Sequence, residues 1–188
     1  MKKIIKSAWA VLLAFAATVA VQAAEPVKIT SPNNKISVDL KTGKGEFGWT
    51  VSKDGQTVYS MEDVWLSING KTLGGDAAVK NVKTKTVNET IKPVVPLKFS
   101  TIENNYTEAT VNFGAYTVEL RVMDNAVAYR FVTKMKGEVI VDNESFTMIP
   151  ESGYTTHFQP CSKPDFNTSF EERYQHMETE KWVNEWAN

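Results

Sequence analysis

The chain has 188 residues, 42% of them hydrophobic, with 21 basic side chains against 22 acidic ones and a single cysteine. A formal charge of −1 lacks the basic excess that nucleic-acid phosphates demand. Cys161 has no partner for an internal disulfide, so stability must come from burial, for which the length suffices in one domain.

The chain opens MKKIIKSAWAVLLAFAATVAVQAAEP, with three lysines, an uncharged apolar run from Ala8 to Val21, and then Val21-Gln22-Ala23. This is the pattern of a secretory signal peptide over residues 1–23, cut after Ala23. The apolar run is shorter than the roughly 20 residues that a bilayer span needs. No membrane span is therefore expected after cleavage, and no cysteine near the cut offers a lipid attachment point. The mature chain keeps 18 basic and 22 acidic side chains, and is expected to be soluble and exported, either periplasmic or secreted.

Residues 24–150 read as an antiparallel β-sandwich domain. Val27 to Thr30 makes a short first strand, ended by Ser31-Pro32-Asn33-Asn34. Apolar residues then alternate at Ile36, Val38 and Leu40, and again at Phe47, Trp49 and Val51, the period of a half-buried strand. Asp54-Gly55 is a hairpin turn leading to Thr57, Tyr59 and Met61, and Val64, Leu66 and Ile68 follow as a further run closed by Asn69-Gly70. Short strands at this spacing suit a sandwich or barrel. From Leu73 to Pro96 the alternation loosens, and its exposed lysines suit an edge strand. Leu97 to Glu103 and Thr107 to Phe113 read as strands separated by an Asn104-Asn105 turn.

Tyr116 to Thr133 carries the clearest paired-strand signal. Tyr116, Val118, Leu120 and Val122 alternate, Asp124-Asn125 supplies a turn tolerant of positive φ, and Val127, Tyr129 and Phe131 resume the pattern. The expected hairpin lies at the centre of a sheet, with Glu119, Arg121, Arg130 and Thr133 facing away from the core or toward a partner surface. Val139 and Val141 suggest one more strand, and Phe146, Met148 and Ile149 another.

Residues 151–188 form an acidic and aromatic tail, irregular where Pro160 and Pro164 interrupt it. Its last twenty residues read either as a helix, with Ser169 and Glu172 as a capping box and Phe170, Tyr174 and Met177 near helical spacing, or as a long loop. His157, His176 and Cys161 match no structural zinc spacing. The carboxylates Glu171, Glu172, Glu178, Glu180 and Glu185 suit either calcium, which collects hard oxygen ligands from several parts of a chain, or a solvated charged face. Phe166, Phe170, Tyr174, Trp182 and Trp186 suit either a sugar-binding surface or packing against another domain. Four Asn-x-Ser/Thr sites, beginning at Asn88, Asn105, Asn143 and Asn167, read as polar loop sequence.

Taken together, SPNNKISVDLKT, EFGWTVSKDGQTVYS, VELRVMDNAVAYRFVTK and FNTSFEERYQ resemble the N-terminal domain of glycoside hydrolase family 97, exported α-glucosidases and α-galactosidases. The resemblance spans essentially the whole mature chain. It implies an all-β, antiparallel super-sandwich of the galactose-mutarotase kind placed before a (β/α)₈ catalytic barrel. It also implies one glutamate lent to an active-site calcium, for which Glu171 and Glu172 are the candidates, and an α-linked oligosaccharide as the partner of the complete enzyme. Glycoside hydrolysis needs two carboxylates flanking the scissile bond, which the family carries on the barrel. With domains of this type running to roughly 250 residues, the chain is expected to be an incomplete sandwich cut before its catalytic barrel, and not catalytic alone. A free-standing exported carbohydrate-binding module is the alternative.

Overall fold

A computed structural model describes residues 27–41, 45, 47–75, 78–159 and 173–181, so the expected signal segment lies outside the described residues. The first sheet contains β1 (Val27–Thr30), β2 (Ile36–Leu40), β3 (Trp49–Lys53), β4 (Gln56–Ile68), β5 (Lys71–Leu73) and β10 (Val141–Pro150). Its order is β1-β2-β3-β4-β10, with β5 on β4. The second sheet is the meander β6 (Asn81–Ile91), β7 (Ile102–Asn112), β8 (Tyr116–Met123) and β9 (Val127–Thr133). A separate two-stranded ribbon pairs β11 (Thr155–Phe158) with β12 (Gln175–Glu178).

Local chemistry accounts for the tight turns of the first sheet. Asp54-Gly55 and Asn69-Gly70 each close a two-residue hairpin, with φ of 50° and 82° at the first and 50° and 72° at the second. Positive φ at both central residues matches the right-handed twist of the flanking strands. The two apolar runs on either side of Asp63 prove to be one strand. The apolar parity changes from Tyr59 and Met61 to Val64, Leu66 and Ile68, which an unbroken strand would send to opposite faces. Asp63 stands at φ 51°, and β10 skips one β4 residue between the pairs Ser145–Trp65 and Thr147–Glu62. This bulge keeps Met61, Val64 and Ile68 buried together, and Ser145 donates a 3.0 Å hydrogen bond to the Asp63 carboxylate at the same place.

Several expectations change. No turn forms at Asn104-Asn105, because β6 pairs in register along the whole of β7, with Asn88 opposite Asn105 and Glu89 opposite Asn104. Eleven consecutive pairs outweigh the local preference of two asparagines. The segment from Leu97 to Thr101 belongs to the β6–β7 loop, where Leu97 is 90% exposed. The β8–β9 hairpin forms, but β9 is an edge strand, so the hairpin is not central. The expected turn at Asp124-Asn125 is closed by the Met123 amide donating to the Ala126 carbonyl at 2.8 Å, with no positive φ at Asp124 or Asn125. The Asp124 carboxylate instead accepts the Asn33 amide at 2.9 Å, tying this loop to the β1–β2 turn. Thr133 pairs with Tyr116 and shares its inward face, in phase with Tyr129 and Phe131. The two runs after Val139 merge into β10, and Gln175–Glu178 is strand where a helix was one alternative.

The two large sheets pack face to face over one core. Val38, Leu40, Trp49 and Val64 from the first meet Ala109, Val111, Val118, Leu120 and Val122 from the second, each no more than 1% exposed. Six aromatic rings close a circuit between the sheets: Phe47, Trp49, Tyr129, Phe131, Tyr116, Phe113 and back to Phe47, with centroids 4.7–6.4 Å apart. Burial raises the phenol pKa of Tyr116 and of Tyr129. The Tyr116 hydroxyl accepts the Gly74 amide at 2.7 Å. Gly74 itself stands at φ 100°, and a Cβ there would overlap the Val64 carbonyl oxygen.

Two predictions follow from this core. Trp49→Ala should cost about 3–5 kcal/mol in urea unfolding. Trp49→Phe should cost much less, because it keeps a ring in the circuit and removes a buried indole N–H that has no hydrogen-bond partner among the described residues. Equal losses for the two variants would contradict this picture. Gly74→Ala should destabilise by more than Tyr116→Phe, for which about 1–2 kcal/mol is expected from the unpaired Gly74 amide, since the alanine adds backbone overlap and positive-φ strain.

Candidate functional site

The outward face of the second sheet carries a ladder of alternating charge. Glu108 on β7 sits directly between Lys85 on β6 and Arg121 on β8, and contacts them at 2.8 and 3.1 Å. The Arg121 guanidinium also lies 4.4 Å from the centre of the Tyr106 ring. One strand further, Glu119 binds Arg130 at 2.6 Å. These residues lie on the face that period-two alternation leaves outside, and long neighbours cover Glu108 until only 7% of it is exposed. The Lys85 hydrogen bond does most to hold the Glu108 carboxyl below its ordinary range. Burial opposes it, and Arg121 adds to it. Glu119 and Arg130, with Arg121, Met123, Ala128 and Tyr129, line a groove of about 210 Å³.

A second hollow, open and polar, lies where the start of β4 meets the turn after β10. Gln56, Thr57, Glu151, Ser152, Gly153 and Tyr154 line about 550 Å³. The Tyr154 hydroxyl donates to the Thr57 carbonyl at 3.1 Å, and the Glu151 amide donates to Val58 at 2.9 Å. Hydroxyl, amide and carboxylate groups of this kind can hydrogen-bond a polar ligand.

The candidate calcium ligands Glu171 and Glu172 lie outside the described residues, as do Cys161, Phe166, Phe170, Trp182, Glu185 and Trp186. Tyr174 is 67% exposed. Glu178 pairs with Lys181 at 2.8 Å. Among the described residues, no three of His, Cys, Asp or Glu converge in a way that could hold a metal ion. The sequence did not indicate that His157 and His176, nineteen residues apart, stand directly opposite each other across the β11–β12 ribbon. Strand pairing in a tail read as helix or loop leaves no periodic signal to find.

Residues 29–187 match the family model described as Glycosyl-hydrolase 97 N-terminal. The chain belongs to this family. Among solved structures, a glycoside hydrolase family 97 enzyme from Pseudoalteromonas sp. strain K8 in complex with panose matches at TM-score 0.60 and 16% identity, over 72% of this chain and 22% of that one. The same enzyme in complex with acarbose matches at TM-score 0.61 and 16% identity, with the same coverage. A β-arabinopyranosidase matches at TM-score 0.65 and 22% identity, over 79% of this chain and 26% of that one. The chain thus spans about a quarter of the length of these enzymes, and the likeness establishes a shared fold. A search of curated proteins finds no match.

The ladder gives a pH-dependent prediction. A carboxyl held below its unfolded pKa contributes stability that is complete above the unfolded value and fades as pH falls through the folded one. Glu108→Gln should therefore cost roughly 1 kcal/mol at pH 7 in urea unfolding, and the gap from the parent should shrink as the pH is lowered below about 4. A gap that stays constant or widens in acid would contradict the assignment.

Proposed function

We propose that this family 97 N-terminal domain is the supporting, sugar-facing sandwich of a calcium-dependent α-glycoside hydrolase, exported by its signal segment to be periplasmic or secreted, and not catalytic alone. The observation behind this reading is apolar surface that suits protein better than sugar. On the edge strand β10, Phe146, Met148 and Ile149 are 55%, 51% and 44% exposed. In the β6–β7 loop, Val94, Leu97 and Phe99 are 100%, 90% and 68% exposed. Such surfaces, and an edge with no partner strand among the described residues, suit contact with further protein, whereas a sugar platform presents aromatic faces beside polar groups. In the complete enzyme a (β/α)₈ barrel would supply the two carboxylates of glycoside chemistry. Glu171 or Glu172 would supply one oxygen ligand to calcium, the remaining ligands coming from the barrel. The substrate would be an α-linked glucoside or galactoside, a reading supported by the panose and acarbose complexes of the Pseudoalteromonas enzyme.

Purified mature chain, residues 24–188, should hydrolyse no p-nitrophenyl α-glucoside or α-galactoside and should self-associate in sedimentation velocity. Replacing Leu97 and Phe99 by serine should reduce that association. Calorimetric titration with panose should give no saturable heat, with or without calcium chloride. A monodisperse chain that binds panose saturably would instead identify a free-standing carbohydrate-binding module.

A further inference from the structure

The β11–β12 ribbon brings together the only two histidines of the chain, His157 and His176. The Thr179 amide donates to the Tyr154 carbonyl directly opposite it at 2.9 Å. Counting along the unbroken register from that hydrogen-bonded pair, Thr155 and Glu178 form a non-hydrogen-bonded pair, Thr156 and Met177 a hydrogen-bonded one, and His157 and His176 a non-hydrogen-bonded one. Side chains approach most closely at non-hydrogen-bonded pairs. The two imidazole centroids are 4.2 Å apart and the rings nearly perpendicular. Both residues are exposed, on the face they share with Thr155, Tyr174 and Glu178, and the half-buried Thr156, Phe158 and Met177 occupy the other face.

We propose that His157 and His176 together chelate a divalent transition-metal ion of the zinc class on this exposed face. Imidazole nitrogen binds such an ion at about 2.0–2.1 Å, so two nitrogens on one tetrahedral ion stand roughly 3.4 Å apart. Opposed residues on a two-stranded ribbon meet that separation when the rings swing apart by about 1 Å, a side-chain rotation that leaves the backbone in place. The ligand type separates this site from a calcium site, because imidazole suits zinc, copper and nickel whereas calcium takes oxygen. Glu178, two residues beyond His176 on the same face, is held by Lys181 at 2.8 Å. No third protein ligand converges among the described residues, and water can fill positions that the two imidazoles leave open. The site is then an open surface chelate, unlike a closed four-ligand structural centre.

Calorimetric titration of the mature chain with zinc chloride should give one ion per chain, and calcium chloride should not compete. His157→Asn and His176→Asn should each weaken zinc binding by more than about tenfold, the lower limit seen when even an outer partner of a metal site is lost. The double variant should lose less binding free energy than the two single losses added together, as expected for two groups acting on one ion. In proton NMR spectra of the parent chain, the ring resonances of both histidines should shift together at the same zinc stoichiometry. Absence of saturable zinc binding, unchanged affinity in either single variant, or a shift confined to one histidine would overturn the proposal.

Discussion

The closed circuit of six aromatic rings between the sheets is the constraint on which the rest of the structure depends. Trp49 on β3, with Phe47 just before it, faces Tyr116, Tyr129 and Phe131 of the second sheet and Phe113 in its β7–β8 turn, so neither sheet can slide without breaking several edge and stacking contacts at once. Register follows from it. A one-residue slip of β8 would turn Tyr116, Val118, Leu120 and Val122 outward and bring Glu119 and Arg121 into the core. The circuit also fixes backbone beyond itself, because the Tyr116 hydroxyl holds the Gly74 amide where β5 leaves the sheet.

Outside that core, polar groups satisfy what the geometry leaves open. The Asp63 bulge lets one long strand serve the core on both sides of a parity change, and Ser145 binds the displaced carboxylate. The Asp142 carboxylate accepts the Gly70 amide at 2.7 Å, and Asn69 exchanges hydrogen bonds with Ile140, so the start of β10 grips the β4–β5 turn. β10 is thereby anchored at one end and along β4, while its other edge and its apolar residues face outward. That arrangement is consistent with a family 97 N-terminal domain that covers only 22–26% of the length of its solved relatives.

Much of the sandwich was legible because its strands bury one face, and burial of one face writes itself into sequence as period two. The strands β1, β2, β3 and β8, and the turns Asp54-Gly55 and Asn69-Gly70, could be read for that reason. Misreadings fell where a partner outweighed local preference. Asn104-Asn105 has turn chemistry, yet β6 holds it extended. Asp124-Asn125 does turn the chain, but without the positive φ expected of it, and the Asp124 carboxylate accepts the Asn33 amide, 91 positions away. The acidic and aromatic tail was less legible, since its two described strands are short, largely exposed and separated by a long stretch of chain.

By itself, the sequence determined the all-β class, the segments that bury a face and the resemblance to family 97, since each of these is carried by neighbouring residues or by fixed local periods. Only the tertiary structure decided which strands are neighbours, that Glu108 is enclosed by Lys85 and Arg121, that Thr133 turns inward, and that His157 meets His176. Those outcomes depend on pairing between distant segments. Pairing is settled by the joint packing of both sheets, which no local stretch of sequence encodes.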